Sequence, residues 1–293
     1  VYLAKIDEVA MNSKAWIAEV ADQILLSESQ EEKNAVAQWV VEHFLQQPRE
    51  QLLRGREVAV DEVTRTAVQA AIDRINRYEP VQYVLGEAWF YGRKFLVNNQ
   101  VLIPRPETEL LVDIVKAHAK PPRHQQIQVV DLCTGSGCIG ITLACELPQA
   151  RVHVTDISHG AIHVAAMNAR AHRVALSLKQ HDVLTESLDE SVDVMVSNPP
   201  YVLQREKRAM QKQVLEHEPA QALFVPDEDP LRFYKPLAAL AAQRLLPGGL
   251  VAVEVNPLMA ADIQKQFETV GLREVAIHMD LDGRPRVVCG RHA

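Results

Sequence analysis

Asn198, Pro199, Pro200 and Tyr201 make an uncommon end to the apolar run Val192 to Ser197. Two successive prolines remove two backbone N–H donors and fix φ, so the carbonyls of the turn are held stiffly with no local donor to satisfy them. The Asn198 side-chain oxygen and a neighbouring carbonyl, that of Pro199, can then accept both hydrogens of a planar NH₂ group. Such a nitrogen is a poor nucleophile, because its lone pair is delocalised. Acceptors on both N–H bonds favour partial sp³ character, and a stacked Tyr201 would turn the lone pair toward its electrophile. Positioning of this kind is worth up to ~7–11 kcal/mol.

A second constellation lies upstream, where Ile127 to Leu132 runs into Asp131-Leu132-Cys133-Thr134-Gly135-Ser136-Gly137-Cys138-Ile139-Gly140 and a helix follows at once. Glycines let the backbone approach a bound molecule, and the open N–H groups at a helix start favour polar or anionic groups. The segment from Asp131 to Gly140 therefore reads as a ligand-binding turn. The next apolar run, Arg151 to Thr155, ends in Asp156, whose carboxylate can accept from both ribose hydroxyls. A third strand end, His181-Asp182-Val183, offers an acid and an apolar side chain for an adenine. Gly135, Gly137 and Gly140 also satisfy GxGxxG, so a dinucleotide-binding oxidoreductase, or a non-catalytic binding module on the same sheet, is the rival. The tetrapeptide separates them. Hydride transfer has no use for a grip on NH₂, whereas methyl transfer from S-adenosylmethionine to an sp² amino nitrogen explains it, with S-adenosylhomocysteine as product. The positive sulfur already activates the methyl group, so no strong base is needed and the proton leaves after transfer.

Parallel strands alternating with helices must position these residues. Beyond residue 106 the runs 127–132, 139–146, 151–155, 161–171, 192–197, 237–246 and 250–255 alternate in character, which predicts an α/β domain with a mostly parallel sheet. From about residue 12 to 78, Trp16, Val20 and Ile24, then Val36, Val40 and Phe44, then Val68, Ile72 and Ile75 recur at helical spacing and predict a small bundle. Between them, the triplets Phe95–Val97 and Val101–Ile103 flank Asn98-Asn99, which reads as a β-hairpin. The expected domains are 1–78, a linker 79–106, and 107–293.

Composition bounds the function. A chain of 293 residues with 47% hydrophobic and 24% charged residues is globular, and a net charge of −7 argues against broad phosphate contacts. Cys133, Cys138, Cys145 and Cys289 contain no CxxC pair and read as reduced, packed thiols, which points to the cytoplasm. Lys5, Asp7, Glu8, Lys14 and Glu19 leave no apolar stretch for a leader, and no run suits a membrane span. His159 and His163 could share a helix face, but no further ligand stands near in sequence, so no metal is expected. Arg105, Glu107 and Glu109 suit either a helix start or a site wall. Arg205, Lys207 and Arg208, interrupted by Glu206, read as a solvated face.

The ensemble Glu79 to Gly86, Val101 to Glu109, Asp131 to Gly137, Asn198 to Tyr201, and Glu218-Pro219 before Ala222-Leu223 resembles the bacterial protein-glutamine N5-methyltransferases over nearly the whole chain. The resemblance implies a Rossmann-like class I methyltransferase sheet joined by a β-hairpin to an N-terminal helical bundle that helps hold the substrate. It implies S-adenosylmethionine contacts at Cys133 to Gly137, Asp156, Val183 and Asn198, and substrate contacts at Asn198 to Tyr201. The implied substrate is the Gly-Gly-Gln glutamine of class I peptide chain release factors. Pro104 to Glu109 sets the sequence apart from the related enzyme for a ribosomal protein, and acidity sets it apart from a methyltransferase for adenine or guanine amines. Cys133 stands where the family commonly has glycine and Val183 where some members carry an aromatic. Phe224 to Asp229 is also less glycine-rich than usual.

Overall fold

The computed structural model describes residues 9–25, 29–118 and 126–293. Lys5, Asp7 and Glu8, named above against a leader, lie outside the described residues. Two compact units are present, one ending at Gly86 and including Gln211–His217, the other formed by Glu87–Met210 and Glu218–Ala293.

In the first unit, helices Ser13–Asp22, Gln30–Leu45 and Glu62–Ile75 begin where Asn12, Ser29 and Asp61 side chains accept from backbone N–H groups two or three residues on. Trp16, Val20, Val40, Val68 and Ile72 share one buried core. The segment is not helical throughout. Val9–Asn12 pairs antiparallel with Glu57–Val60, where Val58 and Val60 alternate at strand period inside an otherwise helical stretch. Val81–Leu85, read from the sequence as part of a β-hairpin linker, instead forms a short helix that belongs to this unit and ends at Gly86 in left-handed conformation (φ 72°).

The second unit opens with a hairpin, but its turn differs from the expected one. Strands Glu87–Phe90 and Arg93–Leu96 are joined by Tyr91 and Gly92, whose φ values of 51° and 69° suit the twist of a two-residue connection. Asn98 instead starts a turn, its side chain accepting from Gln100 N at 2.9 Å and its carbonyl from Val101 N at 3.1 Å. Its carbonyl and side chain are thus spent locally, and Val101–Ile103 forms no strand.

Seven strands form the main sheet: β1 Ile127–Leu132, β2 Ala150–Asp156, β3 Ser177–Gln180, β4 Val192–Ser197, β5 Leu245–Glu254, β6 Arg273–Met279 and β7 Pro285–Arg291. Their order is β6-β7-β5-β4-β1-β2-β3, with β7 antiparallel to both neighbours and the other adjacent pairs parallel. The longer helices of this unit are α1 Glu109–His118, α2 Cys138–Glu146, α3 His159–Ala171, α4 Tyr234–Arg244 and α5 Ala260–Thr269. Because successive strand residues face opposite sides, Val129 packs with Leu111 and Ile141 of α1 and α2, while Val130 packs with Leu237 and Ile263 of α4 and α5. Burial on both faces accounts for the apolar runs. Arg205, Lys207 and Arg208 lie on the turn Gln204–Ala209, where Lys207 sits 4.3 Å from the centre of the Phe224 ring.

Candidate active site

Register brings the strand ends level. Leu132 pairs with Thr155 on one side and Ser197 on the other, so β1, β2 and β4 deliver their carboxyl ends to one edge. In an open parallel sheet, that edge is where ligands sit. A cavity of ≈ 580 Å³ lies there, a size suited to a nucleoside-containing ligand.

The turn after β1 is fixed by its own polar groups. Thr134 N donates to Thr155 O at 2.9 Å and Gly137 N to Thr134 O at 2.9 Å. Asp131 is fully buried; its Oδ2 accepts from Thr134 Oγ1 at 2.6 Å and from Gly140 N at 2.9 Å. Burial raises its carboxyl to about 7, and its Oδ1 has no hydrogen-bond partner among the described residues. Glycine is required where the helix crosses the sheet: a Cβ on Gly140 would lie 2.5 Å from Val154 Cγ1, and one on Gly137, already at φ 82°, would lie 2.8 Å from Ile141 Cδ1. Cys133 has φ 60°, the left-handed region that favours glycine. The departure noted in the sequence therefore falls at a backbone position suited to the family's usual residue.

Of the residues singled out as cofactor contacts, Cys133, Thr134, Gly135 and Ser136 line the cavity, as do Asp156, Asp182 and Val183 from the next two strand ends. Gly137 does not; it lies behind the turn, against Ile141 and Ala165. Asp156 Oδ2 accepts from Gly135 N and its Oδ1 from Ser158 N, both at 2.9 Å, while burial raises its carboxyl above the ordinary range. Asp182 accepts from Leu184 N and Thr185 Oγ1, each at 3.0 Å. Ser136 Oγ and both ring nitrogens of His181 are buried without partners among the described residues, and both residues line the cavity.

At the end of β4, Asn198 and Pro200 line the same cavity, while Pro199 and Tyr201 do not. Both prolines are buried, and Asn198 and Tyr201 are half-buried. Tyr201 packs against the core between the sheet and α4–α5, and its hydroxyl donates to Glu254 Oε1 at 2.9 Å. Burial, reinforced by that carboxylate, raises its phenol well above the usual value.

Thr108 and Glu254 were not singled out as site residues in the sequence. Thr108 Oγ1 donates to Glu254 Oε2 at 2.6 Å and accepts from Asn198 Nδ2 at 3.3 Å. A lone acid closing the buried run Leu250 to Val255 is the signal that could have found Glu254, because such a carboxylate needs donors. Glu218, also buried, receives Arg105 Nη2 at 2.5 Å and Ile103 N at 3.3 Å, bracing the segment that carries Arg105 on the cavity wall. Glu109 accepts from Tyr91 N at 2.7 Å and so has a structural partner, whereas Glu107 is exposed. His159 and His163 are exposed on α3, and no metal-binding group of His, Cys, Asp and Glu occurs among the described residues.

Comparison with known proteins agrees with this architecture. Residues 18–86 match the model of the PrmC N-terminal domain and residues 106–224 that of the methyltransferase small domain. The chain is 36% identical over 251 residues to a release factor glutamine methyltransferase of Flavobacterium psychrophilum, covering 85% of this chain and 88% of the relative. It is 39% identical over 236 residues to one from Bacteroides thetaiotaomicron, covering 80% and 84%. Among solved structures, human methyltransferase 10 domain containing protein matches in fold, with a TM-score of 0.50, 15% identity, and coverage of 69% and 89%.

Proposed function

From a chain that belongs to the release factor glutamine methyltransferase family, we propose an enzyme that moves a methyl group from S-adenosylmethionine to the side-chain amide nitrogen of the Gly-Gly-Gln glutamine in class I peptide chain release factors. The observation that carries this reading is the presence of Asn198 in the wall of the same cavity that Asp156, Asp182 and the turn after β1 line.

The cavity residues fit the cofactor. Two carboxylates with lone pairs to spare suit ribose hydroxyls and the adenine amino group, and the Ser136 hydroxyl and His181 ring, buried without partners among the described residues, are polar atoms that a ligand or water can satisfy. When bound, S-adenosylmethionine supplies a methyl group already activated by its sulfonium charge. The chain's own work is then positional. Asn198 Oδ1 accepts an amide hydrogen of the substrate, Pro200 gives an apolar wall, and the donor-poor corner leaves that acceptor free. Tyr201, tied to Glu254, keeps the corner rigid rather than offering its hydroxyl to the reaction. The helical unit would hold the release factor, as expected for a domain with no catalytic constellation of its own.

A nucleic-acid amine poses the same geometry, but extrusion of a base calls for a basic groove. Net charge is −7, and one of the three cations after the tetrapeptide is occupied with Phe224. Incubation of the enzyme with labelled S-adenosylmethionine and either release factor or RNA, followed by mass spectrometry of the Gly-Gly-Gln peptide, tests the proposal. One added methyl on that glutamine is expected; label in RNA alone would overturn it.

A further inference from the structure

The geometry points to Thr108 and Glu254 as positioning residues that set which end of the Asn198 amide faces the substrate. This rests on the assignment of Asn198 as an acceptor of the substrate amide.

A side-chain amide has a donor end and an acceptor end of nearly equal size, and only the acceptor end can receive an N–H. Nothing in Asn198 itself decides between them. The decision comes from its neighbours. Thr108 and Tyr201 each carry one hydroxyl proton, and they address different oxygens of the same side chain, Glu254 Oε2 at 2.6 Å and Oε1 at 2.9 Å. With its proton committed to a buried carboxylate, Thr108 Oγ1 has only lone pairs left to offer Asn198. It therefore pairs with Nδ2, at 3.3 Å, and the opposite end of the amide, Oδ1, is left for the substrate.

The relay is anchored by the fold. Thr108 precedes α1 and is 2% exposed, while Glu254 ends β5 and is 1% exposed. Tyr234 on α4 donates its hydroxyl to the Glu254 backbone carbonyl at 3.0 Å, which holds the strand end in place. The Asn198 amide thus meets Thr108 directly, and β5 and α4 act on it only through that residue. The wrong Asn198 orientation would set its NH₂ against the substrate NH₂, donor against donor, and would leave its Oδ1 facing a hydroxyl whose proton is already used. A buried polar network polarised in one direction thus selects an NH₂-bearing group.

The test is steady-state methylation of a release factor by Thr108→Val, Thr108→Ser, Glu254→Gln and Asn198→Ala, with S-adenosylhomocysteine binding measured for each. Thr108→Val keeps the shape and removes the hydroxyl. Its kcat is expected to fall by about 10- to 100-fold, the range seen when outer partners that orient metal ligands are removed. The KM for the release factor and the affinity for S-adenosylhomocysteine should stay within about threefold, because the rest of the substrate surface and the nucleoside side are untouched. Thr108→Ser returns the hydroxyl and should recover most of the lost kcat. Glu254→Gln must turn an NH₂ toward one of the two hydroxyls, so a loss of kcat is expected there too, and this variant decides the matter should Thr108→Val not fold. Wild-type kcat in both Thr108→Val and Glu254→Gln, beside an impaired Asn198→Ala, would overturn the relay while leaving the site intact. Loss of cofactor binding in parallel with kcat, unrescued by serine, would also overturn it, showing a merely structural role. An unimpaired Asn198→Ala would instead remove the assignment on which the relay rests.

Discussion

Asn198 is half-buried, and its side-chain bond to Thr108 is long at 3.3 Å. Removing its side chain should therefore cost little stability and much chemistry. For Asn198→Ala we expect a fall in kcat of about 100-fold or more, comparable to the loss of one preorganised group at a reacting centre, with a Tm near that of the wild type. A second residue, Asp131, makes a prediction in pH. Its carboxyl is raised from 3.8 to about 7 by burial, so between those values the unfolded chain gives up the proton first. Its contribution to stability is complete below pH 4, is lost as the pH rises toward 7, and changes no further above that. Asp156 and Glu254 are raised by burial and act in the same sense. Thermal melts across this range should show a shallower decline for Asp131→Asn than for the wild type; identical slopes would mean that Asp131 stays ionised throughout.

At the scale of elements, the crossing of α2 over the sheet depends on Gly140. A methyl group there would lie 2.5 Å from Val154 Cγ1 and 3.1 Å from Asp131 Oδ2. Gly140→Ala should destabilise the protein by about 1–3 kcal/mol, the usual cost of overfilling a packed site, and weaken S-adenosylhomocysteine binding by shifting the turn; chemical denaturation and calorimetry would measure both. This part of the molecule was legible in the sequence, because strand-glycine-helix punctuation and an acid at each strand end are local signals. The hairpin was less so. Phe95–Val97 and Val101–Ile103 look like partners by composition, yet the turn at Tyr91-Gly92 uses left-handed φ at a tyrosine, which no propensity announces. The strand Glu57–Val60 was hidden by the helices around it. Thr108 and Glu254 lie 146 residues apart, and only the fold reveals their bond.

Considered whole, the described molecule has a helical core around Trp16, Val40 and Ile72 and a sheet unit with a core on each face. The residues lining the cavity all belong to the sheet unit. Saturation with S-adenosylhomocysteine at 100 times its Kd would add about 2.7 kcal/mol to the state that binds it. Hydrogen exchange should then slow at the turn after β1, at Asp156–Ala161 and at Asn198–Val202, with the amides of Ser13–Asp22 and Gln30–Leu45 unchanged. Protection centred on those helices would mean that the nucleoside binds elsewhere. Among the described residues no helix is long and apolar enough to cross a membrane.

Cys133 brings a sulfur to the cavity wall at a backbone position suited to glycine, yet it should not become a point of chemical weakness. Burial, with Asp156 and Asp131 close by, pushes its thiol far above the ordinary range, and Cys138 is pushed up to about 12. Thiolates, not thiols, react with alkylating agents and peroxides. The enzyme should therefore keep its activity through iodoacetamide or mild peroxide treatment that would silence an activated cysteine, tolerating oxidants with a sulfhydryl in plain reach of its ligand.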